Sequence, residues 1–113
     1  APIEMKLSAN KNIEQVCVVG SGLPQPIALI TISEYGKTKD KEALNKSLKK
    51  TLDIVNPKFE QHEFVKKIVI IDAEWTIDNK LLTPSMKIKR KEVENTYQDN
   101  YQKWYDSKGT IVS

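Results

Sequence analysis

A chain of 113 residues with 39% hydrophobic and 29% charged side chains is sized and composed for one compact domain, residues 1–113, and has no room for two of ordinary size. No run is long and apolar enough to cross a bilayer, and the single cysteine, Cys17, excludes an intrachain disulfide. A net charge of +3 suggests an anionic partner without naming it, and it falls well short of the lysine and arginine excess of a dedicated nucleic-acid binder.

From the front, Ala1-Pro2-Ile3-Glu4 enters a short helix that runs to about Ala9, with proline in the first turn, where its missing N–H costs nothing. Asn10-Lys11-Asn12 stops it. The lack of an initiator methionine or a signal-peptide pattern ahead of this helix leads to the expectation that the chain is excised from a longer protein. Two β-branched runs, Ile13 to Val19 and Pro26 to Ser33, flank Gly20-Ser21-Gly22-Leu23-Pro24-Gln25 and read as a hairpin. Gly20 and Gly22 open like a dinucleotide-binding loop, but the third glycine is missing and the next element is a strand, so they are taken as a bend. Cys17, set among valines, reads as a buried, inert thiol.

A helix is predicted from near Asp40 to Val55, with Leu44, Leu48, Leu52 and Val55 on one face. Asn56-Pro57 interrupts it, and Lys58 to His62 can begin a new turn. Val65 to Ile71 is a third strand, apolar on both faces and so central in the sheet. His62, the only histidine, has no second histidine or cysteine for a zinc-like set and reads as solvated. No serine or cysteine has a histidine base near it in sequence. The final helix is predicted over about Lys89 to Tyr105, where Val93, Tyr97, Tyr101, Trp104 and Tyr105 share one face and pack on the sheet. The fold class is α+β: a small sheet of about three main strands, a hairpin plus a crossover strand, flanked by helices.

Between the third strand and the last helix lies Leu81-Leu82-Thr83-Pro84-Ser85-Met86-Lys87-Ile88-Lys89-Arg90. It puts Lys87 on a proline-bearing loop, where an ammonium can be presented to an anion as a mobile point charge.

This segment resembles the last core motif of the acyl-adenylate-forming enzymes. Ala1 to Leu7, Ile13-Glu14-Gln15-Val16-Cys17-Val18-Val19-Gly20 and Pro26-Ile27-Ala28-Leu29 resemble, in the same order, the helix and sheet segments of their small C-terminal domain, most closely in the long-chain fatty acid CoA ligase branch. The resemblance implies a mobile C-terminal domain that works with a large N-terminal domain of the same parent. There, a fatty acid carboxylate attacks the α-phosphate of ATP to give acyl-adenylate and pyrophosphate; the small domain then rotates, and coenzyme A displaces AMP. It implies that Lys87 is the adenylation lysine, on a loop shaped by Thr83 and Pro84. Physically, a compact ammonium offsets the charge that builds between carboxylate and triphosphate, and losing one such donor costs about a hundred- to a thousandfold in rate.

Many members of the family have glycine where this chain has Met86, which is read as a mark of the branch. ATP, coenzyme A and magnesium are expected in the parent, magnesium with ATP in the large domain, and none is expected on this fragment, which alone should be inactive. Coenzyme A would border the front segment and the loop from Gly20 to Gln25, with Lys6, Lys11 and Lys89 as weak phosphate contacts. The expected location is cytoplasmic, with peripheral attachment at the inner membrane face through the parent as a variant, and no nucleic acid is expected as partner. The competing reading is a small nucleic-acid-binding module that uses Lys87, Lys89, Arg90 and Lys91 with Tyr97 and Tyr101. A degenerate or regulatory copy of the ligase domain would have the same fold.

Overall fold

The computed structural model describes residues 2–113. Its elements follow the chain as α1 (Pro2–Leu7), β1 (Ile13–Val19), β2 (Ile27–Ile32), α2 (Glu34–Lys37), α3 (Lys41–Val55), β3 (Lys67–Ile70), α4 (Arg90–Tyr97), α5 (Tyr101–Asp106) and β4 (Ile111–Val112). Short 3₁₀ turns at Asn56–Lys58, Gln61–Glu63 and Gln98–Asn100 link neighbours.

The sheet order is β1-β2-β3-β4. β1 and β2 form the expected antiparallel hairpin, in register from Gln15↔Thr31 to Val19↔Ile27, with a shift between Ile13 and Gln15. Their turn closes through the Leu23 amide, which donates to the Gly20 carbonyl at 2.9 Å, and Gly22 takes a φ of 84°, the left-handed region open to glycine. The glycines therefore make a bend, as the sequence predicts.

β3 returns parallel to β2, which requires a crossover, and α3 supplies it. Asp40 caps α3 by accepting from the Ala43 amide at 2.7 Å. The helix buries Leu48, Leu52 and Val55 and keeps its lysines on the other faces. β2 and β3 are the interior strands, and the buried Ala28, Leu29, Ile30, Ile68 and Val69 show why both faces of them are apolar.

Alternation along the strands sorts the core into two layers. Ala28, Ile30 and Ile68 face Ile3 and Leu7 of α1 and the buried stripe of α3. Ile27, Leu29, Val69 and Cys17 face Trp75, Leu81, Leu82, Val93 and Tyr101 on the opposite side. The α+β class holds.

Three features depart from the expected layout. A fourth strand, β4, pairs parallel with β3 through Ile68↔Ile111 and Val69↔Val112. At its approach, buried Lys67 donates through Nζ to the Ser107 carbonyl at 2.6 Å and to the Gly109 carbonyl. A short helix, α2, follows β2, with Ser33 as N-cap accepting from the Gly36 amide at 3.0 Å. The last helix, predicted as continuous, is broken by the 3₁₀ turn at Gln98–Asn100. Asp99 and Asn100 favour local side-chain hydrogen bonds over helix continuation. The break does not disturb the common face: Val93 and Tyr101 are buried, and Tyr97, Trp104 and Tyr105 pack beside them.

Candidate functional site: the loop that carries Lys87

The segment after β3 crosses under the second core layer, burying Trp75, Leu81 and Leu82, and then turns outward. Thr83 organises the turn. Its carbonyl accepts from the Met86 amide at 2.8 Å, closing a four-residue turn with Pro84 in the second position. Its amide donates to the Lys87 carbonyl at 2.8 Å, and its Oγ1 accepts from the Lys87 amide at 3.1 Å. One threonine thus holds both backbone polar groups of Lys87. A bridge between Leu82 and Ile88 and a bond from the Lys89 amide to the Leu81 carbonyl, 2.9 Å long, close the stem.

Met86 adopts a φ of 66°. A turn followed by one left-handed residue is a standard three-residue hairpin connection, and glycine is the residue that takes that conformation without strain. Met86 therefore carries a steric cost that a glycine would avoid, and its side chain stays 56% exposed. Beside it, Leu82 and Met86 border a cavity of about 200 Å³ whose rim also carries Glu14, Glu34, Glu74 and Lys37.

Lys87 itself is exposed and projects from a hydrogen-bonded stem. The stem leads into α4, and Arg90, its first residue, is fixed. Arg90 Nη2 donates to Glu4 Oε1 and Oε2 at 2.6 and 2.8 Å, and Nη1 donates to the Val18 carbonyl at 2.8 Å and lies 3.5 Å from Cys17 Sγ. Glu4 Oε2 also accepts from the Val18 amide at 2.5 Å. Burial alone would raise the Glu4 carboxyl, but the bonds from Arg90 and from the Val18 amide bring it below its ordinary value. The same pairing holds the Arg90 guanidinium above its ordinary value. Desolvation pushes the Cys17 thiol up to about 11, so it stays protonated near neutrality, as expected of an inert core cysteine.

The structure weakens the nucleic-acid reading. Tyr101 is 4% exposed, and Tyr97 accepts from Trp75 Nε1 at 3.1 Å with its ring against Trp75 and Trp104. Neither offers a free face for a base. Arg90 is committed to Glu4 and Val18 and is not part of an open basic strip with Lys87, Lys89 and Lys91. His62 is exposed in the 3₁₀ turn Gln61–Glu63, as predicted. Lys6, Lys11 and Lys89 are exposed on three separate segments: α1, the turn before β1, and the approach to α4. The pairing of Glu4 with Arg90 escaped the sequence reading because the two lie 86 positions apart and each looks like an ordinary surface charge.

A family model for the AMP-binding enzyme C-terminal domain matches residues 1–109. The long-chain-fatty-acid–[acyl-carrier-protein] ligase AEE15 of Arabidopsis thaliana is 30% identical over 109 residues, 92% of this chain and 15% of that protein. Long-chain-fatty-acid–CoA ligase 2 of Schizosaccharomyces pombe is 41% identical over 46 residues, 41% of this chain and 7% of that protein. The chain thus spans well under a fifth of either relative. Two solved adenylation-domain structures share the fold. The A-PCP didomain of the carboxylic acid reductase of Segniliparus rugosus, solved in complex with AMP, superposes with a TM-score of 0.74 at 20% identity, covering 90% of this chain and 15% of that one. The adenylation domain of the carboxylate reductase of Mycobacterium chelonae gives 0.76 at 16% identity, covering 93% and 17%. With residues 1–109 matched by that model and the fold shared with these adenylation domains, this chain belongs to the AMP-binding enzyme C-terminal domain family, the small domain of adenylate-forming enzymes.

Proposed function

We propose that this domain serves an ATP-dependent acyl-CoA synthetase acting on long-chain fatty acids, supplying Lys87 to the adenylation step and then rotating to allow thioester formation. The observation that carries the reading is the presentation of Lys87: exposed at its side chain, yet held at both backbone polar groups by Thr83. These hairpin bonds give the ammonium a fixed point of departure, as a positioned charge requires.

In the first step a carboxylate oxygen attacks the α-phosphorus of ATP; the new acyl–oxygen–phosphorus linkage forms as the bond to pyrophosphate breaks. Both reactants are anions, and an ammonium placed between them stabilises the charge gathered at the reacting centre more than it stabilises the separated substrates. In the second step the coenzyme A sulfur attacks the acyl carbonyl and AMP leaves, a step that asks nothing of Lys87. ATP, fatty acid and magnesium would be held by the large domain. Among the described residues no group of three or more His, Cys, Asp or Glu side chains is placed to hold a metal ion. Because the ATP and acyl sites of such an enzyme belong to the large domain, the small domain alone is proposed to be inactive; the proposed location of the whole enzyme is the cytoplasm. Among the described residues no helix is long and apolar enough to cross a membrane.

The test uses the full-length enzyme. Lys87→Ala should lower ATP–pyrophosphate exchange with a long-chain fatty acid by about a hundredfold or more, while thioester formation from supplied acyl-adenylate is largely spared. Exchange near the unmutated rate would remove Lys87 from the chemistry.

A further inference from the structure

Among the described residues β1 is an edge strand, since the sheet order leaves one of its sides without a neighbour. An open edge presents unpaired amides and carbonyls. At Val18 both are satisfied by side chains: the amide donates to Glu4 Oε2 at 2.5 Å, and the carbonyl accepts from Arg90 Nη1 at 2.8 Å. Glu4 and Arg90 are themselves joined by two short bonds of 2.6 and 2.8 Å. The result is a closed ring in which a carboxylate and a guanidinium take the places of the acceptor and donor that an antiparallel neighbour strand would offer. Glu4 belongs to α1 and Arg90 opens α4, so the ring ties the first helix, the sheet edge and the exit of the Lys87 loop together at one point.

The tip of the loop lies outside the core. Thr83, Pro84, Ser85 and Met86 are not buried, and the hydrogen bonds that shape them run within the loop. Its orientation on the domain is set at its entrance by the buried leucines and the bond from the Leu82 amide to the Thr76 carbonyl, and at its exit by Ile88 and Val93 packed in the second core layer and by Arg90. A reacting group that swings in as part of a moving domain must arrive with a small positional error, and an error near 1 Å costs about a hundredfold in rate.

We propose that Glu4 and Arg90 are positioning residues for the adenylation half-reaction, making Lys87 a rigid extension of the first helix and the sheet edge. The proposal rests on the role given to Lys87 above. The ring fixes where the stem sits, so that rotation of the domain delivers the ammonium to one place. Arginine is required because one guanidinium meets the carboxylate and the Val18 carbonyl together; a lysine ammonium has no such fork.

The experiment compares Arg90→Met, Arg90→Lys, Glu4→Gln and Lys87→Ala in the full-length enzyme, measuring pyrophosphate exchange, thioester formation from supplied acyl-adenylate, and thermal unfolding. Arg90→Met and Glu4→Gln should each lower kcat for exchange by about ten- to a hundredfold, with KM for ATP unchanged and thioester formation spared. Arg90→Lys should recover little of the loss. Exchange within about twofold of the parent in both variants would overturn the proposal. So would a parallel fall of both half-reactions with the melting temperature, because the ring would then serve folding alone. Should Arg90→Met fail to fold, Glu4→Gln, which preserves shape and one acceptor, decides the matter, and its own failure to fold counts against the proposal. Normal exchange in Lys87→Ala would instead overturn the function on which this role depends, a result that the Arg90 variants cannot mimic.

Discussion

Gly36→Ala tests how closely the β1–β2 hairpin and the start of the crossover are packed. Gly36 is buried in α2, and a methyl group added there would lie 2.6 Å from Ile32 Cγ2, 2.7 Å from the Asn12 carbonyl oxygen and 3.0 Å from Asn12 Cα. The isoleucine methyl can yield by a side-chain rotation. The Asn12 carbonyl cannot, because it accepts from the Ser33 amide at 2.9 Å, and Ser33 Oγ in turn caps α2. Relieving a contact this short shifts backbone on both sides, which places the cost near the upper end of the roughly 1–3 kcal/mol of an overpacked site. Alanine returns about 1 kcal/mol through its helix preference. A net loss of about 2 kcal/mol remains. With an unfolding entropy near 0.24 kcal/mol/K for 113 residues, that is about 8 °C in melting temperature. Circular-dichroism melts of parent and variant under identical buffer conditions read it directly. A variant melting within about 2 °C of the parent, or above it, would refute the argument that Asn12 and Gly36 are in unyielding contact.

Glu4→Gln carries a pH signature. Because the Glu4 carboxyl is lowered in the folded state, its contribution is present above the unfolded value near 4.5 and is lost as pH falls through the lower, folded value. The stability gap between parent and Glu4→Gln, followed by thermal melts from neutrality into acid, should therefore shrink below about pH 4.5; a constant gap contradicts the pairing. Tyr101→Phe should be neutral or stabilising by up to about 1 kcal/mol, because the Tyr101 hydroxyl is buried without a hydrogen-bond partner among the described residues, and burial pushes its pKa up to about 12. A loss above about 1 kcal/mol in denaturant titration would show that the hydroxyl is satisfied after all. At Met86, with its φ of 66°, glycine should be tolerated and valine should cost at least about 1 kcal/mol more than glycine, since a β-branched residue is a true outlier in the left-handed region. Equal melting temperatures for the two variants would place Met86 outside that region.

The hairpin, the crossover helix and the central third strand were legible because each has enough apolar residues at a regular period for burial to select one answer. The parts that escaped are short or non-local. β4 is only Ile111–Val112, a pair with no pattern of its own, and it becomes a strand because β3 offers it an edge. The break at Gln98–Asn100 had a local signal in Asp99 and Asn100, overridden in the reading by the aromatic periodicity on either side. The loop bearing Lys87 was legible as a motif, but its geometry was not: that Met86 must be left-handed follows from the hydrogen bonds of Thr83, which the sequence does not display. The joining of Glu4 to Arg90 needs the fold before either residue has a meaning.

The buried Lys67 has a consequence for the variability of the chain's last stretch. Its Nζ grips the carbonyls of Ser107 and Gly109, and the Ile68 amide reaches the Thr110 carbonyl at 2.9 Å. All three acceptors are main-chain atoms. The latch reads the path of the polypeptide and is blind to the side chains along it, so its hydrogen bonds would survive replacement of most side chains there. Substitutions at Lys108 and Thr110 should therefore leave that route intact, whereas Gly109, at a φ of 79°, and Ile111 and Val112, which pack against the two core layers, are held to their kind.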